Sequence, residues 1–394
     1  MPITTTQAPR RPNHKSERAF GILAIVACVT AIPAIPAAQG HYPFKPNPDN
    51  LDLVAYWYPV PADSVVMQRD GRTWEFSSLV HVYGAAPEGP FEVTVEARRD
   101  KGLLFRRTFP IDRQKPAADF TYSEVNGYFR VEAKTDYSPE RPTEISVSVA
   151  AGRTRRARTT QCTYRTIKGT IRDIDDKPLR AFLSVGPDQF SSPVTVWSDP
   201  NGRFSIDLPE RTYNIFYADN QTYGVSTLEM WGWHMIVDRD ETLDFTVGNG
   251  EVYNLHAWPN NGGYGTYFVY FRPMVLPLAS QPAPARAVLN GREFQVTDIA
   301  PRLKPDDLRV RINGIKADLV SLQEVFETGV PNNAPSAMPA YLVQVRRNNA
   351  PPNGKITLSV EYDTTITVKE RPVRVRGAGY TQFYNQFAGL GFYY

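Results

Sequence analysis

The chain has 394 residues, 42% of them hydrophobic and 22% charged. This suits two or three domains of about 100–200 residues each and excludes a disordered tail, which could not bury enough apolar surface to offset its ordering entropy. The net charge of +3 comes from the front of the chain: four of the 44 basic and one of the 41 acidic residues lie within positions 1–38, leaving 40 of each behind. An even balance gives no electrostatic footprint for nucleic acid, which is not expected as a partner.

Residues 1–40 read as an export signal. Arg10, Arg11, Lys15 and Arg18 precede an apolar run from Ala19 to Ile32, and Pro33, Pro36 and Ala37-Ala38-Gln39-Gly40 end it. A cleaved signal fits best. A lipid on Cys28, which follows Ile25-Val26-Ala27, and a retained signal anchor are the alternatives, and they are the only membrane contacts expected. The protein is then periplasmic, at the cell surface or extracellular. Removal of the signal would leave Cys162 as the sole cysteine, so no intramolecular disulfide is expected.

After a proline-spaced stretch, residues 41–165 alternate apolar and polar positions at period two. Phe91–Ala97, Tyr128–Ala133 and Glu144–Val149 are examples, and together they predict an immunoglobulin-like β-sandwich with Trp57 and Trp74 in its core. The run Arg153-Thr-Arg155-Arg156-Ala-Arg158 reads as a solvated linker or strand end.

Residues 166–248 carry four turn-and-strand pieces in order. They are Lys168-Gly-Thr-Ile-Arg-Asp173, Lys177-Pro-Leu179, Ser198-Asp-Pro-Asn-Gly-Arg-Phe204 and Leu208-Pro-Glu-Arg-Thr-Tyr213. This segment resembles the carboxypeptidase regulatory-like domain, a small transthyretin-like β-sandwich, and the resemblance implies that fold without implying an activity. Arg211 stands where that family usually has glycine before Thr-Tyr. The trio Asp173, Asp175 and Asp176 reads as a turn, since a calcium loop needs further oxygen ligands at regular spacing.

Residues 249–394 predict a further sandwich. Strands are expected at Val252–Trp258, Thr266–Pro273, Leu308–Ile312, Tyr341–Val345, Lys355–Tyr362 and Thr365–Val375. A Pro/Ala spacer is read at 281–287, a surface loop at 328–340, and an aromatic tail after Gly377. The whole is therefore expected to be all-β, three tandem antiparallel β-sandwich domains after an N-terminal export signal.

No zinc motif, nucleophile elbow or phosphate-cradling loop occurs, so no catalytic residue, metal ligand or cofactor is assigned. Cys162 reads as a small buried residue. The informative stretch runs from Leu228 to Trp258. In strands, Glu229, Trp231 and Trp233 share one face, as do Asn254, His256 and Trp258, while His234 lies opposite the tryptophans as an interior or edge histidine. With Tyr264, Tyr270 and Arg272 these residues combine flat rings with carboxylate, amide and guanidinium groups, which is what stacking on sugar faces requires. The expected function is non-catalytic recognition of a carbohydrate, with a polysaccharide or an envelope protein as partner. Two alternatives stand beside it. One is a structural or adhesive envelope protein, whose tryptophans would be buried. The other is a polysaccharide-acting enzyme with Glu229 and Asp238 or Asp240 as carboxyls about 5–10 Å apart.

Overall fold

Apolar–polar alternation puts one face of each segment in a core and the other in water, and the chain folds accordingly into strands. The computed structural model describes residues 53–59, 66–69, 72–75, 78–115, 119–135, 140–186, 194–260, 265–279, 284–329, 335–347, 350 and 353–386. The segment expected to be an export signal, with Cys28, and also Tyr264, the Trp74 side chain and positions 387–394 of the expected aromatic tail lie outside the described residues.

The first unit contains β1 (Val54–Tyr58), β2 (Val66–Arg69), β3 (Arg72–Glu75), β4 (Leu79–Ala85), β5 (Phe91–Arg99), β6 (Gly102–Ile111), β7 (Thr121–Val125), β8 (Tyr128–Lys134), β9 (Glu144–Ala151) and β10 (Thr154–Gln161). Two four-stranded sheets, β1-β4-β8-β7 and β10-β9-β5-β6, enclose a core that includes Trp57, Val82, Val95, Phe109 and Val147. The arginine run forms β10, an exposed edge strand whose charge discourages pairing with another chain.

The middle unit contains β11 (Tyr164–Arg172), β12 (Phe182–Gly186), β13 (Val194–Trp197), β14 (Arg203–Pro209), β15 (Arg211–Asp219), β16 (Met230–Val237), β17 (Glu241–Thr242) and β18 (Phe245–Thr246). Its turns have local causes. The Asp173 carboxylate accepts from the amides of Asp175 and Lys177, and that of Asp199 accepts from Asn201 and Arg203. Gly202 has φ +73°, and a Cβ there would lie 2.3 Å from the Ile171 carbonyl; at Gly169 a Cβ would meet the Leu243 carbonyl at 1.7 Å. The buried Tyr213 donates its hydroxyl to the Pro209 carbonyl at 2.8 Å, closing the corner between β14 and β15.

The third unit contains β19 (Gly250–Pro259), β20 (Thr266–Val275), β21 (Pro284–Leu289), β22 (Arg292–Thr297), β23 (Leu308–Ile312), β24 (Ile315–Lys316), β25 (Leu319–Gly329), β26 (Ser336–Arg346), β27 (Asn353–Val368) and β28 (Arg371–Gln386). Three expectations need correction. The 281–287 spacer contributes to β21, and most of the 328–340 loop belongs to β25 and β26. The break expected at 363–364 is absent. The hairpin turns instead at Lys369 and Glu370, both at positive φ, and neither residue type signals such a turn.

The second and third units share one sheet. β16 pairs in parallel with β28, giving an eight-stranded sheet of order β13-β12-β15-β16-β28-β27-β23-β24. The β14-β11-β17/β18 sheet covers one face of its first half, and the six-stranded sheet around β19, β20 and β26 covers the opposite face of its second half. On β16, Met230, Met235 and Val237 enter the middle-unit core, whereas Trp231 and Trp233 enter the core shared with the third unit. The change of side falls at His234, whose φ of +54° interrupts the alternation.

Candidate functional site

The residues predicted to bind a saccharide are divided between the interior and the surface. Trp231 and Trp233 are each 5% exposed and stack on one another at 5.2 Å and 17°. Tyr253 closes their edges at 5.3 and 4.9 Å. Their faces are consumed by core contacts, so they offer no ring to a ligand. Glu229 and Arg272 are also buried, which overturns the expectation that they bond sugar hydroxyls. Arg272 lies 4.6 Å over the Tyr253 ring and donates to the Glu327 carboxylate at 2.9 Å.

Asn254, His256 and Trp258 remain together on the outer side of the six-stranded sheet. A bulge between Tyr253 and His256, with Asn254 at φ +55°, shifts the alternation of β19, so that Leu255 faces the core while Asn254, His256 and Trp258 face outward. Asn254 Oδ1 bonds His256 Nε2 at 2.8 Å, and Asn254 Nδ2 reaches Glu327 at 3.3 Å. Tyr270 donates to the same carboxylate at 2.8 Å. Trp258 is 43% exposed and sits beside Phe268 at 5.9 Å. Glu327 organises this patch, yet sequence reasoning missed it because β25 was not recognised as a strand.

The His234 ring lies 5.1 Å from that of His256. Burial lowers the pKa of both, and His234 falls to about 4, so both rings are neutral at pH 7.

A second missed feature is Glu251, only 3% exposed and electrostatically coupled to the buried Glu229. Burial, then the neighbouring Glu229 charge, pushes the Glu251 carboxyl up to about 8, against the lowering effect of Arg272. The carboxylate partners expected for Glu229 in an enzyme are elsewhere. Asp238 lies past the far end of β16, a strand length of roughly 25–30 Å away. It contacts Lys355 at 2.8 Å and accepts from Tyr384 at 2.7 Å, and Asp240 caps the Thr166 amide at 2.9 Å. Glu229 therefore has neither partner beside it.

Cys162 is half-buried, and burial pushes its thiol up to about 12. Among the described residues, no group of three or more His, Cys, Asp or Glu is arranged to hold a metal ion. No helix among them is long and apolar enough to cross a membrane.

No family model matches the sequence, and no curated protein matches it. Solved structures with partial likeness include BcpA, the major pilin subunit of Bacillus cereus, at 9% identity and TM-score 0.17, covering 56% of this chain and 69% of that one. The group B streptococcus pilus 2b backbone protein gives 13% identity and TM-score 0.17, over 50% and 85%. The N-terminal eight immunoglobulin domains of Down Syndrome Cell Adhesion Molecule give 8% and 0.13, over 76% and 38%. TM-scores this low support no inference about this chain, and its all-β sandwich character rests on its own sheets.

Proposed function

We propose that the chain is an exported, non-catalytic structural or adhesive protein of the cell envelope, whose buried aromatics join one β-sandwich unit to the next. The observation that carries this is the stacking of Trp231 and Trp233, each 5% exposed, in a core built from both the second and third units. Export rests on the basic–apolar–small pattern of residues 1–40. The likeness of residues 166–248 to a carboxypeptidase regulatory-like domain is part of the proposal. It is supported by the close approaches at Gly169 and Gly202 and by the Tyr213 corner.

Truncation distinguishes this reading from ligand binding. Trp231→Ala or Trp233→Ala should each cost about 3–5 kcal/mol in urea unfolding. Wild-type tryptophan fluorescence should resist acrylamide apart from an exposed fraction. Unchanged stability together with lost polysaccharide binding in these variants would reverse the assignment.

A second reading keeps carbohydrate recognition but moves it to the outer sheet face. It is favoured by the exposure of Trp258 beside Phe268, with Asn254, His256 and Tyr270 on the same surface. A polysaccharide that shields fluorescence in the wild type but not in Trp258→Ala would select it.

A further inference from the structure

The eight-stranded sheet is longer than the sheet that covers it. Beneath β17 and β18 the middle of β28 is roofed, with Tyr380 packed against the middle-unit core and Gln382 bonded to Glu241. β27 and β23 continue past that roof. Their odd positions, Lys355, Thr357, Ser359 and Glu361 with Arg309 and Arg311, share the face away from the third-unit core, because the alternate residues Ile356, Leu358, Val360, Tyr362, Val310 and Ile312 enter that core; Lys355 and Thr357 reach Glu241 at the edge of the roof. The step between roof and floor is a groove of about 820 Å³, walled by Thr242, Asp244, Thr246 and Arg172. Its volume lies within the range of about 300–1,000 Å³ common for small-ligand sites.

Charge in this groove is close to balanced, with the cations Arg172, Arg239, Arg309, Arg311, Lys355 and Arg376 facing the carboxylates Asp176, Asp238, Glu241, Asp244 and Glu361, but it is unevenly paired. Lys355, with its side chain 1% exposed, is held by Glu241 at 2.7 Å and Asp238 at 2.8 Å. Glu361 serves Arg309 at 3.0 Å and Arg376 at 3.2 Å, and Asp176 serves Arg376 at 3.0 Å. Asp244 caps the amide and hydroxyl of Thr170. Among the described residues, Arg311 donates to the Gly314 carbonyl at 3.3 Å, and Arg172 donates to the Asp176 carbonyl at 3.1 Å and lies near the Asp176 carboxylate. The Arg311 guanidinium thus lines the groove with no ion pair to a carboxylate, Arg172 shares its nearby carboxylate, Asp176, with Arg376, and the hydroxyl residues Thr242 and Ser359 line the groove beside them.

We infer that this groove binds a short acidic oligosaccharide. Its carboxylates would take the forked donors of Arg311 and Arg172, and its ring hydroxyls would bond Thr242 and Ser359. A guanidinium fork selects a planar carboxylate, while the lining hydroxyls select a polyol, and the two together match a uronate chain. The inference goes beyond the structural reading above and does not depend on it.

Calorimetric titration of the full chain with tetragalacturonate tests this, with uncharged maltotetraose and inorganic tripolyphosphate as comparison probes. Saturable binding of the galacturonate that weakens with added salt is expected, with no binding of maltotetraose. Arg311→Gln and Arg172→Gln should each weaken it about tenfold, whereas Trp258→Ala should leave it unchanged. Both arginines line an open groove, and unchanged urea midpoints would show that the variants fold. Absent galacturonate binding, or equal binding by the Arg311→Gln/Arg172→Gln double variant, overturns the site. Tripolyphosphate binding as tight as that of the saccharide overturns its assignment to sugars.

Discussion

Arg211 donates a 2.7 Å hydrogen bond from Nη1 to the Tyr58 hydroxyl, linking β15 of the middle unit to β1 of the first. The guanidinium also lies 4.3 Å over Tyr56 and 5.6 Å over both Tyr83 and Tyr213. The residue that departs from the middle unit's expected turn pattern is therefore a cation in a tyrosine cage. The fully buried Tyr58 extends this junction, packing with the middle-unit core and standing 5.0 Å from His81.

Replacing Arg211 with methionine should cost about 2–4 kcal/mol, since it removes the cation–π contacts and leaves a buried hydroxyl without its donor. Arg211→Lys should restore little of that loss, because an ammonium lacks the planar fork that bonds Tyr58 while stacking on the rings. Urea midpoints of the two variants test this; a lysine variant as stable as the wild type would show that charge alone suffices.

Two glycines at similar backbone angles should respond differently. Gly89 and Gly202 have φ +72° and +73°, but a Cβ at Gly89 meets nothing within 4 Å. Gly89→Ala should lose about 1 kcal/mol from backbone strain alone. Gly202→Ala should lose at least about 3 kcal/mol, because the added methyl must displace the Ile171 carbonyl as well. Thermal unfolding of the pair separates strain from collision.

Glu251 should make stability depend on pH. Its folded pKa of about 8 exceeds the ordinary 4.5, so the folded chain keeps a proton that the unfolded chain has released. The contribution is complete below pH 4.5, is lost as pH rises toward 8, and is level above that. His234 and His256, with lowered folded pKa values, act oppositely but only below their ordinary 6.5. Between pH 6.5 and 8 the wild type should therefore lose stability with rising pH, and Glu251→Gln should flatten that part of the profile. Equal slopes in the two proteins would mean that Glu251 ionises normally.

Lys355 should be costly to remove alone. It sits between Asp238 and Glu241, and Lys355→Met would leave Glu241 without that cation and Asp238 with only Arg239 at 3.5 Å. A loss of about 3–5 kcal/mol is expected. Adding Glu241→Gln should recover part of it, and the double-mutant cycle measures the coupling. Strict additivity would show that the pair is energetically idle.

Period-two alternation located most strands, since burial of one face is a local demand that each segment declares in its own residues. Leu308–Ile312 was delimited correctly for that reason, as Leu308, Val310 and Ile312 are buried and the arginines between them are exposed. The turns at Asp173 and Asp199 were equally legible, because a side chain bonding backbone amides two and four residues on needs no distant partner. β25 was illegible for the converse reason: it pairs only with β26 at a sheet edge, and none of its residues is buried. By itself the sequence determined an all-β chain and placed its aromatics on strands. Only the tertiary structure decided which faces those aromatics took. His234 and Asn254, at positive φ, each interrupt a strand's alternation, so Trp231 and Trp233 fall in one core and Met235 and Val237 in another, while Trp258 turns out. The groove is likewise a product of assembly, existing because one sheet extends beyond its cover, and no local pattern records where a neighbouring sheet will end.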